Sequence, residues 1–149
     1  MKKLAIASLI ALAATAASAL EIGVQATRDY AGTNRNSGGI TLGDTFRGVD
    51  ITAGLERSTK GDNDQTRYSL VAGYDLVKLG SVTVSPTVGV AYLDNQVGYN
   101  GYAMTVGVGA SLPLTKQVSV TADIACQYGQ DRVQSFDGNR VTVGLKYKF

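Results

Sequence analysis

The sequence lacks histidine and tryptophan, and it has one cysteine and two prolines among 149 residues. Histidine is the side chain that most often moves protons near neutral pH, and no serine has an evident activating partner, so we predict no catalytic residue and no enzyme. Cys126 cannot close an internal disulfide, and we interpret it as a small hydrophobic side chain. Asp62 and Asp64 lack the further ligands of a calcium loop, so no metal or cofactor site is predicted.

An excess of charge of one sign is also missing, because 14 basic residues stand against 12 acidic ones. Lys2 and Lys3 account for the difference, and the balanced remainder gives no electrostatic reason to expect nucleic-acid binding. These lysines precede an apolar, alanine-rich run from Leu4 to Ala16 and the small residues Ala17-Ser18-Ala19. This order predicts a signal peptide over residues 1–19 that is cleaved on export. A transmembrane anchor is the alternative, but the apolar run is short for one.

Alternation of apolar and polar residues is the main pattern of residues 20–149, which we interpret as one domain. It is clearest in the closing stretch NRVTVGLKYKF, residues 139–149. A β-strand sends successive side chains to opposite faces, so this stretch has one apolar and one polar face. About nine to eleven residues is the length with which a tilted strand crosses a bilayer.

The alternation recurs along the chain. It predicts strands near residues 20–27, 39–43, 48–56, 68–76, 82–92, 102–112, 118–128 and 139–149. Polar loops are predicted over 31–37, 58–65, 94–100 and 130–138, and tight turns near 43–46, 77–80 and 113–116. Because long and short connections alternate, we predict an all-β fold, an eight-stranded antiparallel up-and-down transmembrane β-barrel with both termini on the periplasmic side.

Two features suggest that the apolar face meets lipid. Glycines such as Gly23, Gly54 and Gly107 lie on the polar face, where a narrow eight-stranded lumen needs small residues. Nine aromatic residues are predicted to form two rings at the membrane interfaces. The outer ring is Tyr30, Tyr68, Tyr92, Tyr102 and Tyr128, and the inner ring is Phe46, Tyr74, Tyr147 and Phe149. The alternative is a soluble periplasmic β-protein that buries its apolar face.

Charged residues of the polar face are predicted to form a network in the lumen. Its members are Glu21, Asp50, Glu56, Arg67, Asp75, Asp123, Arg140, Lys146 and Lys148. Closing the barrel brings Glu21 near Lys146 or Lys148, and Glu56 faces Arg67 across the second external loop. We favour a structural plug, because buried charges need partners and eight strands leave a filled interior. The alternative is a narrow pore that conducts small ions.

Three further arginines, Arg28, Arg57 and Arg132, have outward parity at or just beyond the outer aromatic ring. The planar guanidinium suits bidentate contact with phosphate, so these residues are candidates for lipopolysaccharide contact. Snorkelling or solvation in a loop explains them equally well.

The signal peptide, the alternating strands and the terminal YKF make the chain resemble the small eight-stranded outer-membrane proteins of the OmpX/Ail-like and OmpA-barrel type. The resemblance implies a monomer in the bacterial outer membrane, surrounded by lipid and lipopolysaccharide. With no catalytic residue predicted, the resemblance implies a role in adhesion, host-factor binding or membrane stabilisation through short external loops. It also implies that Phe149 helps the outer-membrane assembly machinery to recognise the last strand.

Overall fold

A computed structural model describes residues 20–30, 34–58, 64–95, 100–130 and 137–149, and its strands form one antiparallel sheet. The strands are β1 (Glu21–Asp29), β2 (Arg35–Phe46), β3 (Val49–Ser58), β4 (Gln65–Tyr74), β5 (Val77–Leu79), β6 (Val82–Asn95), β7 (Gly101–Pro113), β8 (Val118–Gly129) and β9 (Gly138–Lys148). Across these ranges no helix is long and apolar enough to cross a membrane. The predicted signal peptide, residues 1–19, lies outside the described residues, as do Asp62 and Arg132.

The sheet closes on itself. β1 pairs with β2 on one side and with β9 on the other, and β4 pairs with both β3 and β6, which completes a ring of eight strands. In the described part of the chain β5 pairs with β6 alone and extends the β4 strand beyond the ring. Neighbouring strands in the ring are antiparallel, and strands next to each other in the chain are next to each other in space. The prediction of an all-β, eight-stranded, antiparallel up-and-down barrel is confirmed.

The two ends of the barrel differ in their connections. Leu20, Phe149 and the turns at residues 47–48, 80–81 and 114–117 lie at one end, here called the turn end. The other, here called the loop end, carries the connections between the strand pairs β1–β2, β3–β4, β6–β7 and β8–β9. Short and longer connections therefore lie at opposite ends, as the sequence pattern predicted.

The first turn lies later in the chain than predicted. Residues 43–46 belong to β2 and pair with residues 49–52 of β3. The turn is the two-residue loop Arg47-Gly48, in which both residues have positive φ, 51° and 80°. Such a turn matches the right-handed twist of the strands that it joins. The prediction was wrong because Gly43 resembles a turn residue, whereas inside the barrel it avoids a close contact: a Cβ there would lie 3.1 Å from Thr52 Oγ1.

The second turn also differs from the prediction, which had placed it at residues 77–80. Residues 77–79 form β5, and the chain reverses at residues 80–81. Gly73 pairs with Thr87 and Val77 with Val84, so three residues of one strand face two of the other. This is a β-bulge, which bends the strand and lengthens the hairpin. Sequence alternation does not reveal it, because an extra residue at a strand end looks the same as the start of a turn.

The outer surface of the barrel is apolar and the interior is polar. Val24 and Ile124 on the outside are 57% and 63% exposed, whereas Thr27 and Glu56 on the inside are each 3% exposed. The buried apolar side chains among the described residues are Ala91, Leu93, Ala103 and Ala125. A water-soluble β-barrel has the reverse distribution, with large apolar side chains filling its interior.

Candidate functional site: the barrel lumen

An ion pair crosses the loop-end half of the lumen. Nη2 of Arg140, on β9, donates to both carboxylate oxygens of Glu56, on β3, at 2.8 and 2.7 Å. Both side chains are almost fully buried, with 5% and 4% of their surfaces exposed. Gln25 Nε2 also donates to Glu56, and Ser37 Oγ lies 3.4 Å from its second oxygen. The buried carboxylate is thus held by donors from three other strands, which offsets the cost of taking it out of water.

A second set of contacts surrounds this pair. Arg67 on β4 is the direct neighbour of Glu56 across the β3–β4 ladder, and its Nη1 donates across the lumen to Oε1 of Gln127 on β8. Asp29 Oδ1 lies 3.7 Å from Arg140 Nε. We call Asp29, Glu56, Arg67, Gln127 and Arg140 the lumen plug. Because its members come from β1, β3, β4, β8 and β9, it ties opposite walls of the barrel together.

Sequence reasoning found only part of this plug. It named Glu56, Arg67 and Arg140, and the structure brings these three together. The prediction omitted Asp29, which lies just beyond the predicted end of the first strand, and Gln127, which has inward parity within its predicted strand but carries no charge. Arg35 was assigned to a loop, yet it begins β2, is buried, and donates to Gln65 Oε1 at 3.2 Å.

The other predicted lumen charges lie in the turn-end half and make separate contacts. The prediction was wrong for Asp75, which is exposed between β4 and β5 and does not line the lumen cavity, because the bulge there interrupts the alternation. Lys146 Nζ is 3.4 Å from Glu21 Oε2, whereas Lys148, opposite Glu21 in the ladder, is exposed at the mouth. The remaining acids accept hydrogen bonds from hydroxyl groups. These are Asp50 from Thr45 at 2.5 Å, Asp75 from Ser85 at 2.9 Å and Asp123 from Thr87 at 3.0 Å.

A cavity of about 170 Å³ occupies the lumen between these groups. Glu56, Arg67 and Arg140 line it at the plug, and Ser111 and Lys146 line it toward the turn end. A much smaller cavity, of about 10 Å³, lies among Asp29, Leu93 and other residues of the loop-end half. The lumen therefore has open space on the turn-end side of the plug and almost none among the plug residues.

The predicted aromatic residues lie on the outer surface near both ends. At the loop end Tyr68, Tyr92 and Tyr102 are direct neighbours on three adjacent strands, and the rings of Tyr92 and Tyr102 have centroids 5.2 Å apart. Tyr30 and Tyr128 are exposed near the same end. At the turn end the exposed aromatics are Phe46, Tyr74, Tyr147 and Phe149, of which the last two stack edge to face.

The predicted outer arginines differ in their surroundings. Arg28 lies over the ring of Tyr30, with its Cζ 5.3 Å from the ring centroid. Arg57 pairs with Asp64 at 2.8 Å and stays largely exposed. Among the described residues no group of three or more histidine, cysteine, aspartate or glutamate side chains is arranged to hold a metal ion.

The chain is similar to known proteins in structure but not in sequence. No protein-family model matches the sequence, and no curated protein sequence matches it either. Neisserial surface protein A matches in structure with a TM-score of 0.65, over 88% of this chain and 96% of that chain, at 15% identity. A major outer membrane protein of Thermus thermophilus matches with a TM-score of 0.61, over 87% and 99% of the two chains, at 16% identity. The chain has the fold of the small outer-membrane β-barrels.

The outer membrane protein Ail of Yersinia pestis, in a phospholipid bilayer nanodisc, belongs to the same group of structures. It matches with a TM-score of 0.56, over 88% of this chain and 99% of that one, at 12% identity. The predicted resemblance to OmpX/Ail-like barrels is therefore confirmed for the fold. Because each of these identities is low, the likeness concerns architecture, and the chemistry of the lumen has to be derived from the residues of this chain.

Proposed function

We propose that the protein is an integral barrel of the bacterial outer membrane with a non-enzymatic, structural or surface-interaction role. The observation that carries this proposal is the inverted distribution of side chains. A closed barrel exposes an apolar belt between two sets of aromatic residues and buries Glu56, Arg67 and Arg140 inside. Exposure of so many apolar side chains is favourable in lipid, whereas in water it promotes aggregation.

The proposed orientation places the turn end in the periplasm and the loop end outside the cell, as is usual for such barrels. Residues 1–19 would be removed on export, and Phe149 would mark the last strand for the assembly machinery. Arg28 and Arg57, together with Arg132, would contact lipopolysaccharide phosphates through their guanidinium groups. The protein would act as a monomer. The printed names of its structural relatives, a surface protein and an attachment invasion locus protein, fit a role at the cell surface.

The lumen plug favours the structural role over a narrow pore. Ions that crossed the barrel would have to pass Glu56 and Arg140, whose direct contacts span the lumen. A non-catalytic role is supported by the absence of histidine and by the donors that already occupy both Glu56 oxygens. A carboxylate held in this way has little capacity left for acid–base chemistry.

Electrophoresis of membrane fractions tests the proposal. We expect the protein in the outer-membrane fraction, extracted only by detergent, and migrating as a compact band that shifts after boiling. The shift is expected because a closed barrel resists detergent until heat breaks its ladder of hydrogen bonds. Recovery in the soluble periplasmic fraction, with the same mobility before and after boiling, would contradict it.

A further inference from the structure

The hairpin of β2 and β3 carries an unusual residue in its turn. Arg47 has a φ of 51°, a left-handed conformation that asparagine or glycine adopts at much lower cost. Its guanidinium lies over the exposed ring of Phe46, with Cζ 5.3 Å from the ring centroid. Backbone strain of this kind persists where the surrounding structure over-determines the conformation, as the two-residue turn does here. The contact with Phe46 places the charge of Arg47 on the outer surface at the turn end.

Asp44, on the same hairpin, is an acid with outward parity. It alternates with the inward residues Gly43 and Thr45, and its ladder partner is the exposed Ile51. Among the other described acids of the turn-end half, Glu21, Asp50 and Asp123 have partners in the lumen, and the exposed Asp75 accepts a hydrogen bond from Ser85. Asp44 is half-buried: its Oδ1 is shielded from solvent and has no hydrogen-bond partner among the described residues, so Oδ2 is the oxygen open to a ligand. A carboxylate on a lipid-facing surface is costly unless a cation or a donor reaches it.

These two charges do not neutralise each other. Neither Asp44 nor Arg47 takes part in an ion pair within the described residues. Both lie beside Phe46, because Asp44 shares its outward face and Arg47 covers its ring. The hairpin therefore presents a guanidinium and a carboxylate next to one aromatic side chain, where the outer surface meets the headgroup region.

We propose that this surface binds the headgroup of a phospholipid with a primary ammonium, of the phosphatidylethanolamine type, in the leaflet at the turn end. Arg47 donates to the phosphate, and Asp44 accepts an N–H from the ammonium. A choline headgroup offers the same phosphate but no N–H, so Asp44 distinguishes the two lipids. The inference rests on the proposed function, since it requires the barrel to sit in a bilayer.

A second cation competes for Asp44 if the chain is cleaved after residue 19, namely the new α-amino group of Leu20. The β1–β2 register, in which Glu21 pairs with Gly43, places Leu20 beside Asp44. However, Phe149 N donates to the carbonyl oxygen of Leu20 at 3.1 Å. The N–H and C=O of one strand residue point to the same neighbouring strand, so the backbone nitrogen of Leu20 is directed toward the last strand and away from Asp44. The lipid is therefore the better partner.

Native mass spectrometry of the folded protein in detergent tests this. The probes are phosphatidylethanolamine, its mono- and dimethyl derivatives and phosphatidylcholine, all with the same acyl chains. We expect the unaltered protein to bind phosphatidylethanolamine roughly tenfold more tightly than phosphatidylcholine, the value of one charge-assisted hydrogen bond. The preference should persist while one N–H remains and disappear with the third methyl group.

Three variants separate the parts of the site. Asp44→Asn should abolish the preference between the two lipids, and Arg47→Asn should weaken the binding of both, because they share the phosphate. Arg47→Asn also relieves the left-handed strain, so a loss of binding cannot be ascribed to misfolding. Asp94→Asn is the matched control, since Asp94 is a half-buried acid of outward parity at the loop end, and it should keep the preference.

Equal binding of both lipids by the unaltered barrel would overturn the inference, as would a preference that survives Asp44→Asn. Loss of the preference in Asp94→Asn would overturn the assignment to this hairpin. A loss of stability in Asp44→Asn that is the same with either lipid would point to the α-amino group of Leu20 instead. A chain that shows no heat-dependent mobility shift in detergent would contradict the proposed function itself, and the two failures are thus distinguishable.

Discussion

Arg140 is the residue on which the lumen plug depends most. It is buried, donates twice to Glu56 and approaches Asp29, so it joins β9 to β3 and to β1. Removing one partner of a buried pair costs more than the pair itself contributes, because the remaining charge has lost both its water and its counterion. Glu56 would be that charge.

We expect Arg140→Gln to lower the free energy of unfolding by roughly 3–5 kcal/mol. The matched control is Arg57→Gln, which breaks the largely exposed pair with Asp64 and should cost at most about 1 kcal/mol. Urea unfolding in detergent micelles, followed by gel mobility, measures both. Equal effects of the two substitutions would show that the buried pair has no special role in stability.

Within single strands, glycine allows the walls of the barrel to approach each other. Gly39 faces the lumen, where a Cβ would lie 2.4 Å from the carbonyl oxygen of Leu55 and 2.8 Å from Glu56 Cγ. Gly38, the preceding residue of β2, faces outward, and a Cβ there would lie 4.0 Å from its nearest neighbour, the carbonyl oxygen of Gln25. Two neighbouring glycines thus have opposite requirements, and the difference follows from the alternation of the strand.

We expect Gly39→Ala to lower the free energy of unfolding by about 1–3 kcal/mol, because the backbone of β3 has to move away from the new methyl group. Gly38→Ala should be neutral or slightly stabilising, since an alanine there loses less conformational freedom on folding. The same unfolding measurement compares them. A loss of stability of similar size at both positions would contradict the assignment of the two faces.

The alternation of the sequence was sufficient to predict the strands and their inward and outward faces, because a period of two residues is a local property. It was insufficient for β2, where the polar residues at its start resemble a loop. It also could not predict that Glu56 meets Arg140, 84 positions away. Alternation places both charges in the lumen, but the register of the ladders decides their height, and register depends on pairings around the whole ring.

For the molecule as a whole, the lumen consists of a filled plug and a cavity beside it. The plug contains Arg67, and the cavity is lined by Lys146 in the turn-end half. In a structural barrel the plug is closed, whereas a pore would need a continuous path through the plug and the cavity. The two interpretations therefore differ in what these residues do to an ionic current.

We expect the unaltered protein to show no sustained current in planar bilayers, because direct contacts between charged side chains block the lumen. Lys146 lies on the turn-end side of the plug, so Lys146→Gln should also give no sustained current. Arg67→Gln should mainly lower the stability of the barrel. A steady current in the unaltered protein whose size or ion preference changes with Arg67→Gln would instead establish the narrow pore.

The ring closes where β1 meets β9, and residues far apart in the chain pair there, such as Thr27 with Thr142, 115 positions apart. The entropic cost of such a long loop is offset only once both strands are present, so this junction should form late. Until then β1 has an uncovered edge, and uncovered edges pair readily with other chains. The risk of aggregation is thus greatest after β1 has formed and before β9 pairs with it. A chaperone that covers the edge of β1 during this interval would improve the yield of folded barrel.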